Sequence, residues 1–474
     1  MKKLIFTIII ATVLASCAKT PKPLYPVPTE AQLAWQQLET YAFIHFGLNT
    51  FNDLEWGYGD TPASTFNPAA LDCDQWAATL KKCGMKAIIL TAKHHDGFCL
   101  WPTESTDYNI SKSPYKNGEG DIVRELSEAC EKYDLKFGIY CSPWDRNNAR
   151  YAYPEYVETY HRQIQELTKN YGPLFEFWFD GANGGNGYYG GANETRQIDP
   201  DNYYDYQRAK DTVLSRHPDA MIFGGPYQTV RWIGNEKGFA GETNWCNVPQ
   251  ITSRTALEIT TFGCENGTEW QPAEVDVSIR PGWFYHKNED AKVKTAEELC
   301  DIYYHSVGRN ANLLLNFPVA LDGKIHSVDS TNAVKFYEII SNELKNNVLS
   351  NAKTHADNER GHRYSASKVN DNNPETYWAT TDDYPYGTIS FSLDKPVTIS
   401  RLIIQEYVKL GQRVKSFNIE GSLNGEWVRI QPDSETTTVG YKRIVRFHPV
   451  EVDKLIINFE ESRGPLCISS IEAY

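Results

Sequence analysis

The chain has 474 residues, of which 41% are hydrophobic and 23% are charged, an ordinary composition for a folded protein of two or three domains. Its formal net charge of −14 argues against a nucleic-acid partner, and no basic run offsets that charge. Aromatic residues make up 13% of the chain and serve either as core or as flat surfaces for sugar rings.

The N-terminus has the pattern of an export signal. Met1-Lys2-Lys3 precedes an apolar run at 4–14 and then small residues, which is typical of a signal peptide and too short for a membrane span. Leu14-Ala15-Ser16-Cys17 resembles the bacterial lipoprotein box, which implies cleavage before Cys17 and lipidation of its thiol. We expect a signal at 1–17, a proline-rich tether at 18–30, and an exported bacterial lipoprotein of the periplasm or outer membrane whose only membrane contact is the lipid.

Strand-like runs alternate with helical patterns from about residue 40 to 345, which predicts parallel βα units. The predicted strands lie at 41–48, 87–93, 136–140, 174–180, 220–223 and 313–319. The predicted helices lie at 74–83, 121–133, 156–171, 200–216 and 295–309. The predicted fold is α/β, a TIM-like (β/α) barrel over 31–346, although 224–281 has too few helix signals for eight clean units.

Polar residues stand at the carboxyl ends of four predicted strands. They are His45, His94-His95-Asp96, Tyr140 with the following Trp144, and Asp180. Because barrel chemistry collects at that end of the strands, the coincidence predicts one active site there. No phosphate loop, dinucleotide-binding glycine motif or nucleophile elbow is present.

Two chemistries remain for such a site. A metal-dependent barrel hydrolase is the less favoured alternative, because the first strand offers only His45 and neighbouring strand residues such as His94 and His95 point to opposite faces. That rule relaxes at the bend where a strand ends, so the alternative stays open. Glycoside hydrolysis needs two carboxyl groups, of which Asp180 is the first. The second is open among several acids, of which Glu236 is favoured by its glycine-flanked loop; the others are Glu194, Glu242, Glu258, Glu265 and Glu269.

Several short motifs together resemble the α-L-fucosidases of glycoside hydrolase family 29. They are His45-Phe46-Gly47, Glu55-Trp56-Gly57, His94-His95-Asp96-Gly97-Phe98, Tyr140-Cys141-Ser142-Pro143-Trp144 and Phe177-Trp178-Phe179-Asp180-Gly181. The resemblance implies a retaining exo-hydrolase with Asp180 as nucleophile. The stretch 231–236 is similar to the acid/base segment of the branch that cuts α-1,3 and α-1,4 linkages, which implies Glu236 as acid/base. The implied sugar contacts are His45, Glu55, Trp56, His94, His95, Tyr140, Trp232 and Trp283.

After residue 346 the pattern changes to short alternating runs, which predict an all-β sandwich over 347–474. The stretch 366–378 resembles discoidin-like (F5/8 type C) modules, which are often carbohydrate-binding. That resemblance implies a possible structural calcium ion at Asp371, Thr376 and Glu472, and no cofactor is expected for catalysis.

The expected function is hydrolysis of terminal α-1,3/1,4-linked fucose from oligosaccharides or glycoproteins. A non-catalytic glycan-binding surface lipoprotein is the alternative from another class.

Overall fold

The structure, a computed structural model, describes residues 19–474. The predicted signal peptide and Cys17 lie outside these residues. Within 19–474, no helix is both long and apolar enough to span a bilayer.

The helices are α1 (Glu30–Gln36), α2 (Leu48–Asn52), α3 (Cys73–Lys82), α4 (Ile122–Lys132), α5 (Pro154–Asn170), α6 (Tyr206–Leu214), α7 (Leu257–Phe262), α8 (Ala296–Ser306) and α9 (Ser327–Glu343). The strands of the first part are β1 (Thr40–Ile44), β2 (Ala87–Lys93), β3 (Lys136–Cys141), β4 (Leu174–Trp178), β5 (Gly185–Gly187), β6 (Glu194–Arg196), β7 (Met221–Phe223), β8 (Arg231–Trp232), β9 (Asn247–Val248), β10 (Glu269–Trp270), β11 (Ala273–Ser278) and β12 (Ala311–Asn316). Those of the second part are β13 (Lys353–Ala356), β14 (Trp378–Ala379), β15 (Gly387–Glu406), β16 (Val414–Leu423), β17 (Glu426–Arg429), β18 (Arg443–Ser462) and β19 (Cys467–Ala473).

The first part is a nearly closed barrel of eight parallel strands, as predicted. The strands follow the order β7-β4-β3-β2-β1-β12-β11-β8 around the barrel. A parallel bridge between Phe223 and Val230 joins the two ends of that order. The carboxyl ends of all eight strands therefore meet at one face.

Helices on the barrel surface begin where the sequence places acidic caps. Asp72 accepts the N–H of Gln75 at the start of α3, and Asp121 accepts that of Arg124 at the start of α4. Each cap satisfies a donor that the first helical turn leaves free.

The segment 224–281 carries two barrel strands, β8 and β11, that are absent from the predicted strands. β8 is only two residues long and pairs with β11 through Arg231 and Trp232. A two-residue strand has no periodicity to detect, and α7 beside it has only six residues.

The second part is an antiparallel β-sandwich, again as predicted. Its strands follow the order β14-β19-β15-β18-β16-β17, with β13 paired to β15. The alternating runs that the sequence shows at 387–393 and 399–406 belong to one long strand, β15, and those at 442–447 and 454–459 belong to β18. Register shifts interrupt the pairing of β15 with β18, so the alternation of apolar and polar residues breaks within each strand. Each strand therefore appears in the sequence as two separate runs.

The sandwich packs closely on the barrel. Ile403 and Ile444 are buried in the barrel's core cluster, and the buried Arg443 donates to the carbonyl of Glu242 at 2.6 Å. The segment predicted as a tether also lies on the sandwich, since Leu24 donates its N–H to Leu410 at 2.9 Å and Arg413 bonds the carbonyl of Lys22.

Candidate active site

A cavity of about 640 Å³ opens at the carboxyl ends of the barrel strands. It is of the size usual for ligand sites in proteins. Nine residues singled out in the sequence line it: His45, Trp56, His94, His95, Tyr140, Asp180, Trp232, Glu236 and Trp283.

Asp180 lies two residues beyond the end of β4. Its Oδ2 accepts the hydroxyl of Tyr140 at 2.8 Å, and its Oδ1 accepts the N–H of Ala182 at 2.7 Å. Its side chain is 23% exposed, towards the cavity. Two donors fix the orientation of the carboxylate, while its exposure leaves it open to a ligand.

His94 and His95 both face the cavity, so the alternation of neighbouring strand residues does not hold at this position. The reason is that β2 ends at Lys93, where strand alternation stops. Their rings lie 4.1 Å apart between centroids, and the ring of His45 is 5.7 Å from that of His94.

The three histidines are held neutral. Burial lowers the pKa of His45 to about 3, although its hydrogen bond to Asn316 opposes this. Burial and the neighbouring histidines hold the pKa of His94 well below its usual value. Burial also lowers the pKa of His95, against the opposing charge of Asp180. Neutral imidazoles have one donor and one acceptor each, which suits sugar hydroxyls.

Hydrogen bonds also set the tautomers of two of these rings. Asn316 donates its amide hydrogens to Ser278 and to the carbonyl of Trp283, so its oxygen accepts from Nδ1 of His45 at 2.8 Å. Ser142 likewise donates to a carbonyl and accepts from Nδ1 of His95 at 2.8 Å. The Nε2 of each ring is then the acceptor for a ligand hydroxyl.

Glu236 lies on the loop after β8 and is solvent-exposed. Its Oε2 accepts the indole N–H of Trp283 at 3.1 Å. The structure therefore brings Glu236, Asp180 and the histidines to one cavity, although 56 residues separate the two acids in the chain.

Glu55 does not line the cavity with the other predicted sugar contacts. Its carboxylate accepts the backbone N–H groups of Trp283 and Phe284 at 2.8 and 3.1 Å, and Nε2 of His286 is 2.7 Å away. Glu55 thus holds the loop that carries Trp283.

The sequence interpretation missed three buried acids on the barrel strands. Asp276 lines the cavity and is only 3% exposed. Below it, Glu274 accepts the indole N–H of Trp178 at 2.8 Å and the hydroxyl of Tyr41, while Glu176 is also fully buried. Burial raises the pKa of all three. The alternation Ala-Glu-Val-Asp-Val-Ser at 273–278 was the available signal, because it puts both acids on one strand face.

Two polar loops also line the cavity. Asp201 accepts the N–H and the hydroxyl of Ser253 at 2.9 and 2.7 Å, which ties the loops together. Thr252 and Thr255 line the same region. This part of the cavity offers hydroxyl and carboxylate groups to a polar ligand.

The residues predicted to bind calcium do not form one ligand set. The Thr376 hydroxyl bonds the carboxylate of Asp371, whereas Glu472 is bonded by Ser470 and Tyr474. Across residues 19–474, no three or more His, Cys, Asp or Glu side chains are grouped so as to hold a metal ion.

Comparison with known proteins identifies two family matches. Residues 24–335 match the alpha-L-fucosidase family and residues 351–472 match the F5/8 type C domain. The chain is 37% identical to alpha-L-fucosidase 1 of Arabidopsis thaliana over 96% of this chain and 88% of that protein.

Solved structures also match nearly the whole length of this chain. A glycoside hydrolase 29 family member from an unknown rumen bacterium is 42% identical, with a TM-score of 0.86 over 96% of this chain and 78% of that one. A Ruminococcus gnavus GH29 fucosidase in complex with fucose is 33% identical, with a TM-score of 0.86 over 96% of both chains. These likenesses favour an enzyme over the non-catalytic binding protein and over the metal-dependent hydrolase.

Proposed function

The chain belongs to the alpha-L-fucosidase family and is a glycoside hydrolase, and from this premise we propose that it releases terminal fucose by a retaining double displacement. The observation that carries the proposal is the position of Asp180. Two hydrogen-bond donors orient its carboxylate, and it faces a cavity that Glu236 also lines. Retention needs one carboxylate as nucleophile and one carboxylic acid as proton donor.

In the first step, Asp180 attacks the anomeric carbon while Glu236 gives its proton to the departing glycosidic oxygen. The bond from carbon to that oxygen breaks as the bond to Asp180 forms. The neutral rings of His45, His94 and His95 exchange hydrogen bonds with the sugar hydroxyls. His45 and His95 offer Nε2 as an acceptor. Nδ1 of His94 accepts from the Asn49 amide, so its Nε2 carries the hydrogen and donates. Trp56 and Trp283 supply apolar surface for the methyl side of the sugar.

In the second step, Glu236 takes a proton from water, which attacks the anomeric carbon and releases Asp180. The indole N–H of Trp283 contacts Glu236 throughout, so it supports the ionised form that exists between the two steps.

We propose α-1,3 and α-1,4 fucosyl linkages as the substrates. The polar part of the cavity near Asp201 and Thr252 supports this, because a branched acceptor places a second sugar beyond the leaving oxygen. The test compares a fucosylated trisaccharide that carries a galactose branch with an α-1,2-fucosylated disaccharide and an aryl fucoside. Preference for the branched substrate is expected, and equal kcat/KM on both oligosaccharides would reject the linkage proposal.

Retention has a separate test. Proton NMR during early hydrolysis of an aryl α-L-fucoside should detect the α anomer of fucose first, with the β anomer appearing only by mutarotation. Initial formation of the β anomer would instead require an inverting reaction, with water as the nucleophile.

We also propose that the protein is anchored through a lipid on Cys17. Lys19 and Lys22 are bonded through their carbonyls to Arg360 and Arg413 of the sandwich. Two residues span at most about 7 Å, so the lipid would hold the sandwich next to the membrane. Partition of the full chain into detergent, and its loss in Cys17→Ser, would test the anchor.

A structural calcium ion in the sandwich remains a proposal. Asp371 and Thr376 are already in contact, but Glu472 must leave Ser470 and Tyr474 to join them. A rise in Tm with calcium that Asp371→Asn abolishes would support it, and no change in Tm would reject it.

A further inference from the structure

A fully buried arginine lies at the start of the loop that carries Glu236. Arg231 is the first residue of β8, and its side chain has no exposed surface. Its guanidinium donates to three neutral oxygens, which are Oδ1 of Asn244 at 2.7 Å, the carbonyl of Trp245 at 2.9 Å and the carbonyl of Thr260. Burying a charge among neutral partners is costly, so stability alone does not explain this arginine.

Arg231 is connected to the loop of Glu236 through α7. Thr260 belongs to α7 and lines the cavity. None of the six residues of α7 is buried, so the helix depends for its position on hydrogen bonds such as the one from Arg231. At Gly234, the loop approaches α7 so closely that a Cβ atom would lie 2.7 Å from Leu257 and 3.0 Å from the Thr260 hydroxyl. The loop therefore rests directly on a helix that Arg231 holds.

The sandwich holds the other end of this connection. Asn244 donates its N–H to the hydroxyl of Thr438 at 2.8 Å, and its carbonyl accepts from the amide of Gln412 at 2.9 Å. The oxygen of the same Gln412 amide accepts the N–H of Cys246 at 2.8 Å. Asn244, Thr438 and Gln412 are all buried. Hydrogen bonds therefore run without a break from the sandwich through Asn244 and Arg231 to α7.

We propose that the sandwich takes part in the reaction, because through Asn244, Arg231 and α7 it holds the loop of Glu236 in position. Asn244 and Arg231 are positioning residues, since they act through that loop. A proton donor that moves away from the leaving oxygen transfers its proton less readily, so the position of the loop matters most for substrates that need protonation. This role rests on the acid/base function proposed for Glu236.

The test compares Thr438→Val with Thr438→Ser. Valine has nearly the shape of threonine but cannot accept the N–H of Asn244, whereas serine keeps the hydroxyl. The value of kcat/KM is measured on a fucosylated oligosaccharide and on an aryl fucoside with a good leaving group. In Thr438→Val we expect a loss of about tenfold on the oligosaccharide, as a small displacement of the acid would cause. The aryl fucoside, which needs little protonation, should change by about twofold or less. Thr438→Ser should behave like the wild type.

A second variant acts closer to the loop. Arg231→Lys keeps the charge but loses the planar group that reaches three acceptors, so we expect a loss of about a hundredfold on the oligosaccharide. Thr436→Val, on the same segment of the sandwich, leaves the bond to Asn244 in place and is the matched control. Tm of each variant checks folding, and Arg231→Lys gives the same comparison of substrates if Thr438→Val does not fold.

A measurement without turnover tests the connection itself. Amide hydrogen exchange, followed by mass spectrometry, should be faster over 233–239 and 257–262 in Thr438→Val than in Thr436→Val, because both segments lose a support. Unchanged exchange over these segments would overturn the proposal. An equal loss of kcat/KM on both substrates would also overturn it, since a smaller folded fraction lowers both alike.

Failure of the proposed function is seen separately. If Glu236→Ala slows both substrates equally, Glu236 is not the acid. The difference in hydrogen exchange between Thr438→Val and Thr436→Val would persist in that case, because it does not depend on the chemistry of Glu236.

Discussion

The carboxylate of Glu55 accepts the backbone N–H of Trp283 at 2.8 Å, and the indole of Trp283 in turn donates to Glu236 at 3.1 Å. A residue expected to touch the sugar therefore also connects, through one loop, to the proposed acid/base. His286 closes the same loop by contacting both Asp53 and Glu55.

Glu55→Ala should lower kcat/KM on oligosaccharides by about tenfold or more. The variant removes two hydrogen bonds from backbone N–H groups to a charged acceptor, each contributing about 1.5–3 kcal/mol, so the loop with Trp283 loses its fixed position. Steady-state kinetics measure the effect. Asp53→Asn, which alters the contact with His286 but not the bonds to the backbone of Trp283 and Phe284, is the control and should have a smaller effect. Equal losses in both variants would contradict the specific role of Glu55.

Asp180→Asn should reduce turnover by about a thousandfold or more while fucose binding persists. The amide keeps the shape and the contact with Tyr140, but it cannot form the covalent intermediate. Hydrolysis of an aryl fucoside measures turnover, and calorimetric titration with fucose measures binding. Turnover close to that of the wild type would remove Asp180 as nucleophile.

The stability difference between wild type and His45→Gln should narrow by about 2 kcal/mol between pH 7 and pH 5. The pKa of His45 is about 3 in the fold and about 6.5 when unfolded. Below pH 6.5, His45 therefore binds a proton in the unfolded chain but not in the folded one. The free energy of unfolding of the wild type consequently decreases as the pH falls, whereas the variant lacks this contribution. Urea unfolding at both pH values gives the difference.

The exposed His362→Gln is the matched control for that experiment. Its stability difference from wild type should stay nearly constant over the same pH range. A constant difference for His45→Gln as well would mean that His45 is not held neutral.

Ending the chain at residue 346 should leave an aggregation-prone barrel. The cut removes Ile403 and Ile444 from the barrel core and exposes the apolar surface that they cover. It also removes the hydrogen bond from Ile444 to the carbonyl of Gly308. Soluble yield and Tm measure the effect, and a truncated chain as stable as the full one would show that the sandwich does not support the barrel.

The sequence alone determined the α/β barrel, the antiparallel sandwich and nine of the residues that line the cavity. Hydrophobic periodicity and the position of a residue at the end of a strand can both be recognised from neighbouring residues in the sequence. Together they predict that one face of the barrel carries His45, His94, Tyr140 and Asp180. The glycine-flanked loop favoured Glu236 among several acids, and the family resemblance then implied its role as acid/base, because the loop by itself has no local property that marks it as catalytic.

Only the tertiary structure decided what those residues contact. Glu55 bonds the loop that carries Trp283, and Asp276 of β11 lines the same cavity as Glu236. The reason is physical: burial, hydrogen-bond partners and the charges around an acid depend on residues far apart in the chain. Their spacing in the sequence carries no record of these contacts.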